Sequence, residues 1–138
     1  MITLEQALAF IEAGREEAER QGLKLSFAVV DAGGHLVASQ RMDGAPWITP
    51  EVALGKAWTA AAWGTPSATQ GDKMKELHAF SAAITTATHG RFTPQIGGLP
   101  ILDGDELVGA MGASGASGAE DEAVVRAALG GSGQGHGA

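Results

Sequence analysis

The chain has 138 residues, of which 9 are Lys or Arg and 16 are Asp or Glu, so its formal net charge at pH 7 is −7. This length predicts one domain with one core, and the acidic balance argues against nucleic acid or a membrane surface as a partner, because both attract clustered positive charge. There is no cysteine, which excludes disulfides, thiolate nucleophiles and iron–sulfur clusters.

The N-terminal sequence predicts a helix followed by a β-hairpin. Thr3 and Gln6 form a capping-box pattern, and apolar residues then recur near helical spacing, which predicts a helix over 3–21. Two apolar, β-branched runs at 25–31 and 35–41 are separated by Ala-Gly-Gly and predict the two strands of the hairpin.

The cellular location is also predicted from this region. The N-terminal segment carries acidic residues where a secretion signal has a basic region. Apolar runs fall well short of the ~20 residues that a membrane-spanning helix needs. We therefore expect a cytoplasmic protein with no membrane partner.

A second helix is predicted over 50–63. Thr49, Pro50 and Glu51 have the order of a cap, a first-turn proline and a first-turn acid, with Thr49 as the expected cap. Most of the following residues are small, which suits close packing of the helix on a sheet.

The stretch that follows is also predicted to be helical. Ser67 and Gln70 repeat the capping-box pattern. They predict a helix over 67–78, with a helical or irregular continuation over 79–86.

The C-terminal part predicts a second hairpin and a last helix. Strands are expected over 99–102 and 106–113, joined by an Asp-Gly-Asp turn. A third capping-box pattern at 117–120 precedes a helix over 121–129. The remaining residues, 130–138, are Gly-rich and predict a flexible tail.

The element order α–ββ–αα–ββ–α predicts an α+β fold in which helices flank an antiparallel β-sheet. The expected domain covers residues 1–129. His136 lies in the predicted tail and has no expected role.

Five segments, followed by two acidic residues, carry a resemblance to a known family. They are 29–38, 41–45, 56–57 with 59–61, 97–101 and 109–116, followed by Asp121 and Glu122. In this order they resemble the GlcG/HbpS haem-binding family, which also supplies the C-terminal domain of PduO-type proteins.

The resemblance covers about residues 3–129 and implies several properties. It implies a profilin-like or roadblock-like fold, a homo-oligomer that is a dimer or larger, and haem as a possible ligand, since some members bind or degrade haem. The sequence departs from the family pattern at Trp58 and Trp63, where Arg and Phe are usual, and at Ala113, where Val is usual.

His35 is the candidate metal ligand. It follows a Gly-Gly turn, where a thin backbone would let a flat ligand approach, and imidazole is a common ligand of haem iron. The alternative is a solvent-facing turn histidine. His78 and His89 are expected to be surface or capping residues.

Arg41 and Asp43 are candidate ligand-binding residues at the end of the second predicted strand. The guanidinium of Arg41 can bind a carboxylate or propionate, or it can pair with Asp43 or Asp121. Trp47 is a candidate contact for a ring-shaped ligand, although core or interface positions are the simpler expectation for Trp47, Trp58 and Trp63.

Lys56 and the glycines at 97 and 98 are the remaining candidates, together with Asp121. Lys56 is either a surface residue or an anion-binding group, and burial that lowered its pKa would make it a general base or a Schiff-base amine. Gly97 and Gly98 allow either a ligand or another chain segment to approach closely. Asp121 is expected to contact the ligand, to stabilise its helix N-terminus, or to pair with Arg41 or Lys56.

Three functions fit these residues. The leading hypothesis is a small-ligand-binding protein, with haem or another planar anionic molecule in a pocket between the sheet and the helix 50–63. The second is a cofactor-independent enzyme, in which Lys56 or His35 moves a proton while Arg41 holds the carboxylate of a small organic acid. The third is an accessory structural subunit that binds partner proteins through its tryptophan-bearing faces.

Overall fold

The computed structural model describes residues 1–131, and within that range it contains five helices and four strands. In chain order the elements are α1 (Leu4–Arg20), β1 (Ser26–Asp31), β2 (Leu36–Arg41), α2 (Thr49–Trp63), α3 (Ser67–Met74), α4 (His78–Ala87), β3 (Gly98–Asp103), β4 (Glu106–Ser114) and α5 (Gly118–Gly131). The predicted tail 130–138 therefore begins inside α5, and its remainder, with His136, lies outside the described residues.

The four strands form one antiparallel sheet in the order β2-β1-β4-β3. Both predicted hairpins are present, and the two hairpins meet where β1 pairs with β4. Phe27 in β1, for example, pairs with Gln40 in β2 on one side and with Ala113 in β4 on the other. The predicted α+β fold with helices against an antiparallel sheet is confirmed.

Successive side chains along each strand point to opposite faces of the sheet. Phe27, Val29 and Met111 belong to the larger apolar core, which α1 and α5 cover, whereas Val30 and Ala110 pack against α2. Each large side chain that is fully buried in this way contributes about 1.5–3 kcal/mol. The sheet is therefore the middle layer of three.

The contact between α2 and the sheet is a backbone contact. A Cβ atom added at Gly98 would overlap the carbonyl of Lys56, and one added at Gly112 would overlap the carbonyl of Ala53. Glycine is required at both positions because the helix lies so close. The space between the sheet and this helix, where a pocket was expected, is therefore filled at these positions.

Local capping signals are confirmed at two helices. The Thr3 hydroxyl accepts the Gln6 N–H at 3.1 Å, and the Gln6 side chain accepts the Thr3 N–H at 2.9 Å. Ser117 and Glu120 make the same reciprocal bonds at 3.2 and 3.1 Å. Both helices begin where the capping boxes place them.

The predicted caps are wrong at the other two positions. Thr49 is already helical, and its buried hydroxyl shares a hydrogen bond with the Ser26 hydroxyl of β1 at 2.8 Å. The Ser67 hydroxyl accepts the Gly98 N–H at 2.9 Å. The buried Gln70 side chain donates to the Thr65 hydroxyl instead of accepting from Ser67. In both cases a tertiary partner uses the group that the local pattern assigned to the helix end.

The predicted helix 67–78 is shorter in the structure. α3 ends at Met74, and Leu77 has a non-helical backbone with φ −122° and ψ 55°. The predicted continuation over 79–86 is the separate helix α4, which has no buried residue and exposes Phe80. Within residues 1–131 no helix is long and apolar enough to cross a membrane.

Candidate functional site

The β1–β2 turn holds His35 on a tightly bonded backbone. The Asp31 carboxylate oxygen Oδ1 accepts the N–H groups of Gly33 at 2.9 Å and His35 at 3.0 Å. The Asp31 carbonyl accepts the N–H of Gly34, whose φ of +83° is in the left-handed region that favours glycine. The His35 side chain projects from this turn with 82% of its surface exposed.

Asp31 also determines the electrostatics of the imidazole. The backbone N–H of His35, together with that of Gly33, holds the pKa of Asp31 below its usual value, so this carboxyl is ionised at neutral pH. His35 Nδ1 lies 3.3 Å from Asp31 Oδ1. A carboxylate beside Nδ1 favours the proton on that nitrogen, which leaves the Nε2 lone pair available to a metal.

One stripe of α2 forms a wall beside this turn. Glu51, Leu54 and Trp58 are spaced three and four residues apart, and such residues share a helix face. The turn lies directly against the indole, since a Cβ added at Gly34 would be 2.9 Å from Trp58 Cδ1. Gly34 is therefore required both by its backbone angle and by its neighbour.

The segment 91–93 forms the opposite wall and is fixed to α2. The Thr93 N–H donates to the hydroxyl of the buried residue Thr59 at 2.8 Å, and Phe92 is buried. A Cβ at Gly55 would overlap the Thr93 side chain, so this segment approaches α2 closely. Arg91 is thus presented to solvent by an anchored backbone.

Two adjoining cavities lie between these walls. The first has a volume of about 250 Å³ and is lined by residues that include His35, Leu54, Trp58 and Arg91. The second has a volume of about 480 Å³ and is lined by residues that include Glu51, Leu54, His89 and Arg91. Leu54 and Arg91 line both cavities, which therefore lie side by side, and we call the two together the His35–Arg91 groove.

A buried ion pair lies at the other end of β1. Lys56 is 4% exposed and Asp121 is 1% exposed. The Lys56 ammonium donates to Asp121 Oδ2 and to the Ala113 carbonyl, both at 3.0 Å. Of the two partners expected for Asp121, the structure selects Lys56 over Arg41.

Glycine makes room for this pair. A Cβ at Gly97 would lie 2.7 Å from Lys56 Nζ, so the lysine side chain occupies the space that a ligand was expected to use at Gly97 and Gly98. The backbone N–H groups before α5 are also used by the chain itself, since Ala116 donates to Asp121 Oδ1 at 3.0 Å. Burial raises the pKa of Asp121, and the ammonium of Lys56 offsets part of this effect.

Arg41 and Asp43 lie in a third place. They line a separate cleft of about 400 Å³ with Lys24 and other residues. His35 precedes β2 and Arg41 ends it, which separates their backbones by about 20 Å at ~3.3 Å per residue. Within residues 1–131 Arg41 forms no ion pair, and Trp47 is 76% exposed in the loop before α2.

The predicted site residues therefore do not form one site. His35 lies in the groove, Lys56 and Asp121 form the buried pair, and Arg41 lines the separate cleft. The arrangement expected for an enzyme, with Lys56 or His35 beside Arg41, is not assembled around His35.

The sequence did not identify Leu54 or Arg91 as site residues, and it predicted His89 to be a surface or capping residue. The available signal was the small residue Gly55, which indicates that another segment packs against that side of α2. His89 has φ +56°, the one positive φ of a non-glycine residue within residues 1–131. No group of three or more His, Asp or Glu residues in that range could hold a bare metal ion.

Comparisons with known proteins agree with the fold and the sequence motifs. A family model described as "Haem degrading protein HbpS-like" matches residues 2–130. Protein GlcG of Escherichia coli K12 is 35% identical over 114 residues, which cover 83% of this chain and 81% of GlcG.

Two solved structures are similar over nearly the whole chain. A double mutant of HbpS from Streptomyces reticuli is 32% identical, with a TM-score of 0.82 over 98% of this chain and 88% of that one. A structure described as a PduOC:haem complex is 26% identical, with a TM-score of 0.80 over 88% of each chain. Together with the family match, these similarities show that the chain belongs to the GlcG/HbpS family.

Proposed function

We propose that this protein binds haem, or a closely related planar anionic tetrapyrrole, in the His35–Arg91 groove, with His35 as the iron ligand. The observation that carries the proposal is an exposed imidazole whose Nδ1 lies 3.3 Å from the ionised carboxylate of Asp31. Carboxylate–imidazole pairs of this kind fix the tautomer and the ring orientation of a metal-ligating histidine.

The shape of the groove supports a flat ligand. The cavity at His35, at about 250 Å³, is smaller than the ~300–1,000 Å³ typical of small-molecule sites. The neighbouring cavity, which shares Leu54 and Arg91 with it, has a volume of about 480 Å³ and lies in that range. A ligand would therefore extend along α2 from His35 past Leu54, beside the indole of Trp58, whose face suits contact with an aromatic ring.

The relatives support the same ligand class. The family is described in terms of haem, and the related PduOC structure is a complex with haem. The enzyme alternative has less support, because the Lys56 ammonium is enclosed by Asp121 and Ala113.

A hemin titration followed at the Soret band tests the proposal. The wild type is expected to bind saturably, and His35→Ala to bind at least about tenfold more weakly, equivalent to ~1.4 kcal/mol, with a shifted Soret maximum. His78→Ala is the matched control, because His78 is an exposed histidine on α4. Unchanged affinity and spectrum in His35→Ala would remove His35 from the site.

We also propose that the chain forms a homo-oligomer through α4. Leu77, which precedes α4, and Phe80 are 47% and 54% exposed, and no residue of this helix is buried. The helix carries no Asp, Glu, Lys or Arg. Two identical copies of net charge −7 repel each other least through such an uncharged surface, which favours a second copy as the occupant.

A further inference from the structure

Arg91 differs from most arginines of the described part of the chain, in which it has no acidic partner. Arg15, Arg20 and Arg126 each form an ion pair with a glutamate of their own helix. Arg41 and Arg91 form none within residues 1–131. Of these two, Arg91 lines both cavities of the groove.

The backbone around Arg91 is held on both sides. Its N–H donates to the Thr88 carbonyl at 3.2 Å, and its carbonyl accepts the Thr93 hydroxyl at 3.1 Å. Thr93 is in turn bonded to Thr59 of α2. Because the backbone that carries the guanidinium is already held in place, less backbone freedom is lost when Arg91 binds a ligand.

The groove holds carboxylates near the guanidinium, but none of them is bonded to it. Glu51 and His89 line the second cavity with Arg91, and Asp31 lies at the far end, beside His35. Neither Asp31 nor Glu51 is bonded to Arg91. The five N–H donors of the guanidinium therefore remain available to an external group, and their planar fork matches a carboxylate.

We propose that Arg91 binds a carboxylate of the groove's ligand and thereby selects tetrapyrroles that carry free propionate groups. This inference rests on the proposed function. Since His35 and Arg91 line one cavity, a ligand that contacts the imidazole can direct a propionate to the guanidinium. Arg91 is thus a specificity-determining residue, separate from the iron ligand.

The test compares hemin with hemin dimethyl ester, which has the same ring and iron but no free carboxylate. We expect Arg91→Gln to bind hemin at least about tenfold more weakly (~1.4 kcal/mol), with an unchanged Soret maximum because His35 is intact. Its affinity for the ester should equal that of the wild type. Arg41→Gln, which removes the other unpaired arginine, should bind both ligands normally.

Glu51→Gln supplies a second variant with the opposite expected effect. Removing this carboxylate from the groove should strengthen hemin binding and leave ester binding unchanged. Equal affinity of wild type and Arg91→Gln for hemin, or an equal loss for both ligands, would overturn the role of Arg91. Failure of the wild type to bind either ligand saturably would instead overturn the proposed function itself.

Discussion

Lys56 is a charged residue that is almost completely buried, which is rare for lysine. Its side chain runs from α2 past Gly97 to the start of α5, where the ammonium bonds Asp121 and the Ala113 carbonyl. A buried pair of this kind contributes little net stability, but removing one partner leaves an uncompensated charge. The pair therefore links two layers of the fold and makes each partner depend on the other.

Replacing Lys56 alone should be strongly destabilising. For Lys56→Met we expect a loss of ~3–5 kcal/mol in the free energy of unfolding, because the Asp121 carboxylate stays buried without a counter-charge. The double variant Lys56→Met/Asp121→Leu should recover most of the loss. Urea unfolding measures both, with exposed Lys75→Met as a control expected within about 0.5 kcal/mol of the wild type.

The loss in Lys56→Met should depend on pH in a defined direction. Burial raises the pKa of Asp121 above 3.8 in the folded state, and removal of the ammonium raises it further. The stabilisation from a raised pKa is fully present below the unfolded value and is lost as pH rises through the folded one. The deficit relative to wild type should therefore shrink as pH falls toward 3.8, and a deficit that grows on acidification would contradict this explanation.

The sequence allowed some of these residues to be identified but not their groupings. His35 could be anticipated because the Gly-Gly turn is local. The partner of Asp121 could not, because Lys56 lies 65 residues away and only the fold distinguishes it from Arg41. Arg91 was not predicted as a site residue because the groove forms only where α2 meets the segment 89–91, which is distant in sequence.

At the level of elements, the capping-box patterns predicted helix starts correctly where the capping hydroxyl was available to its own helix. The capping boxes of α1 and α5 are present because, within residues 1–131, the hydroxyls of Thr3 and Ser117 bond the N–H groups of their own helices. Thr49 and Ser67 are buried, and their hydroxyls bond Ser26 of β1 and Gly98 of β3. The small residues of α2 correctly indicated a helix that packs closely on the sheet.

Helix α4 should control self-association. Phe80→Glu places a charge on each copy of the proposed contact, so we expect a shift toward the monomer in sedimentation equilibrium. Leu8→Glu is the control, because Leu8 is an exposed leucine, 42% accessible, on α1. A monomeric wild type, or an equal shift in both variants, would argue against α4 as the interface.

For the whole molecule, the strand order determines where the His35 turn and the buried Lys56–Asp121 pair lie relative to each other. Hairpin patterns predicted the pairs β1–β2 and β3–β4, but the β1–β4 pairing joins residues far apart in sequence and leaves no local signal. That pairing makes β1 central, with the His35 turn at one end and Ala113, which bonds Lys56, opposite its other end. The proposed binding site and the buried ion pair thus lie at opposite ends of one strand.

The most direct test of the central claim is to map the residues that a tetrapyrrole contacts when it binds. Diamagnetic gallium protoporphyrin IX can be titrated into isotopically labelled protein and followed by amide chemical shifts. Binding in the His35–Arg91 groove predicts the largest changes at 33–36, 54–58 and 89–91, with the cleft at 41–43 unaffected. Changes centred on 41–43, or weak changes without saturation, would contradict the assignment of the groove as the ligand site.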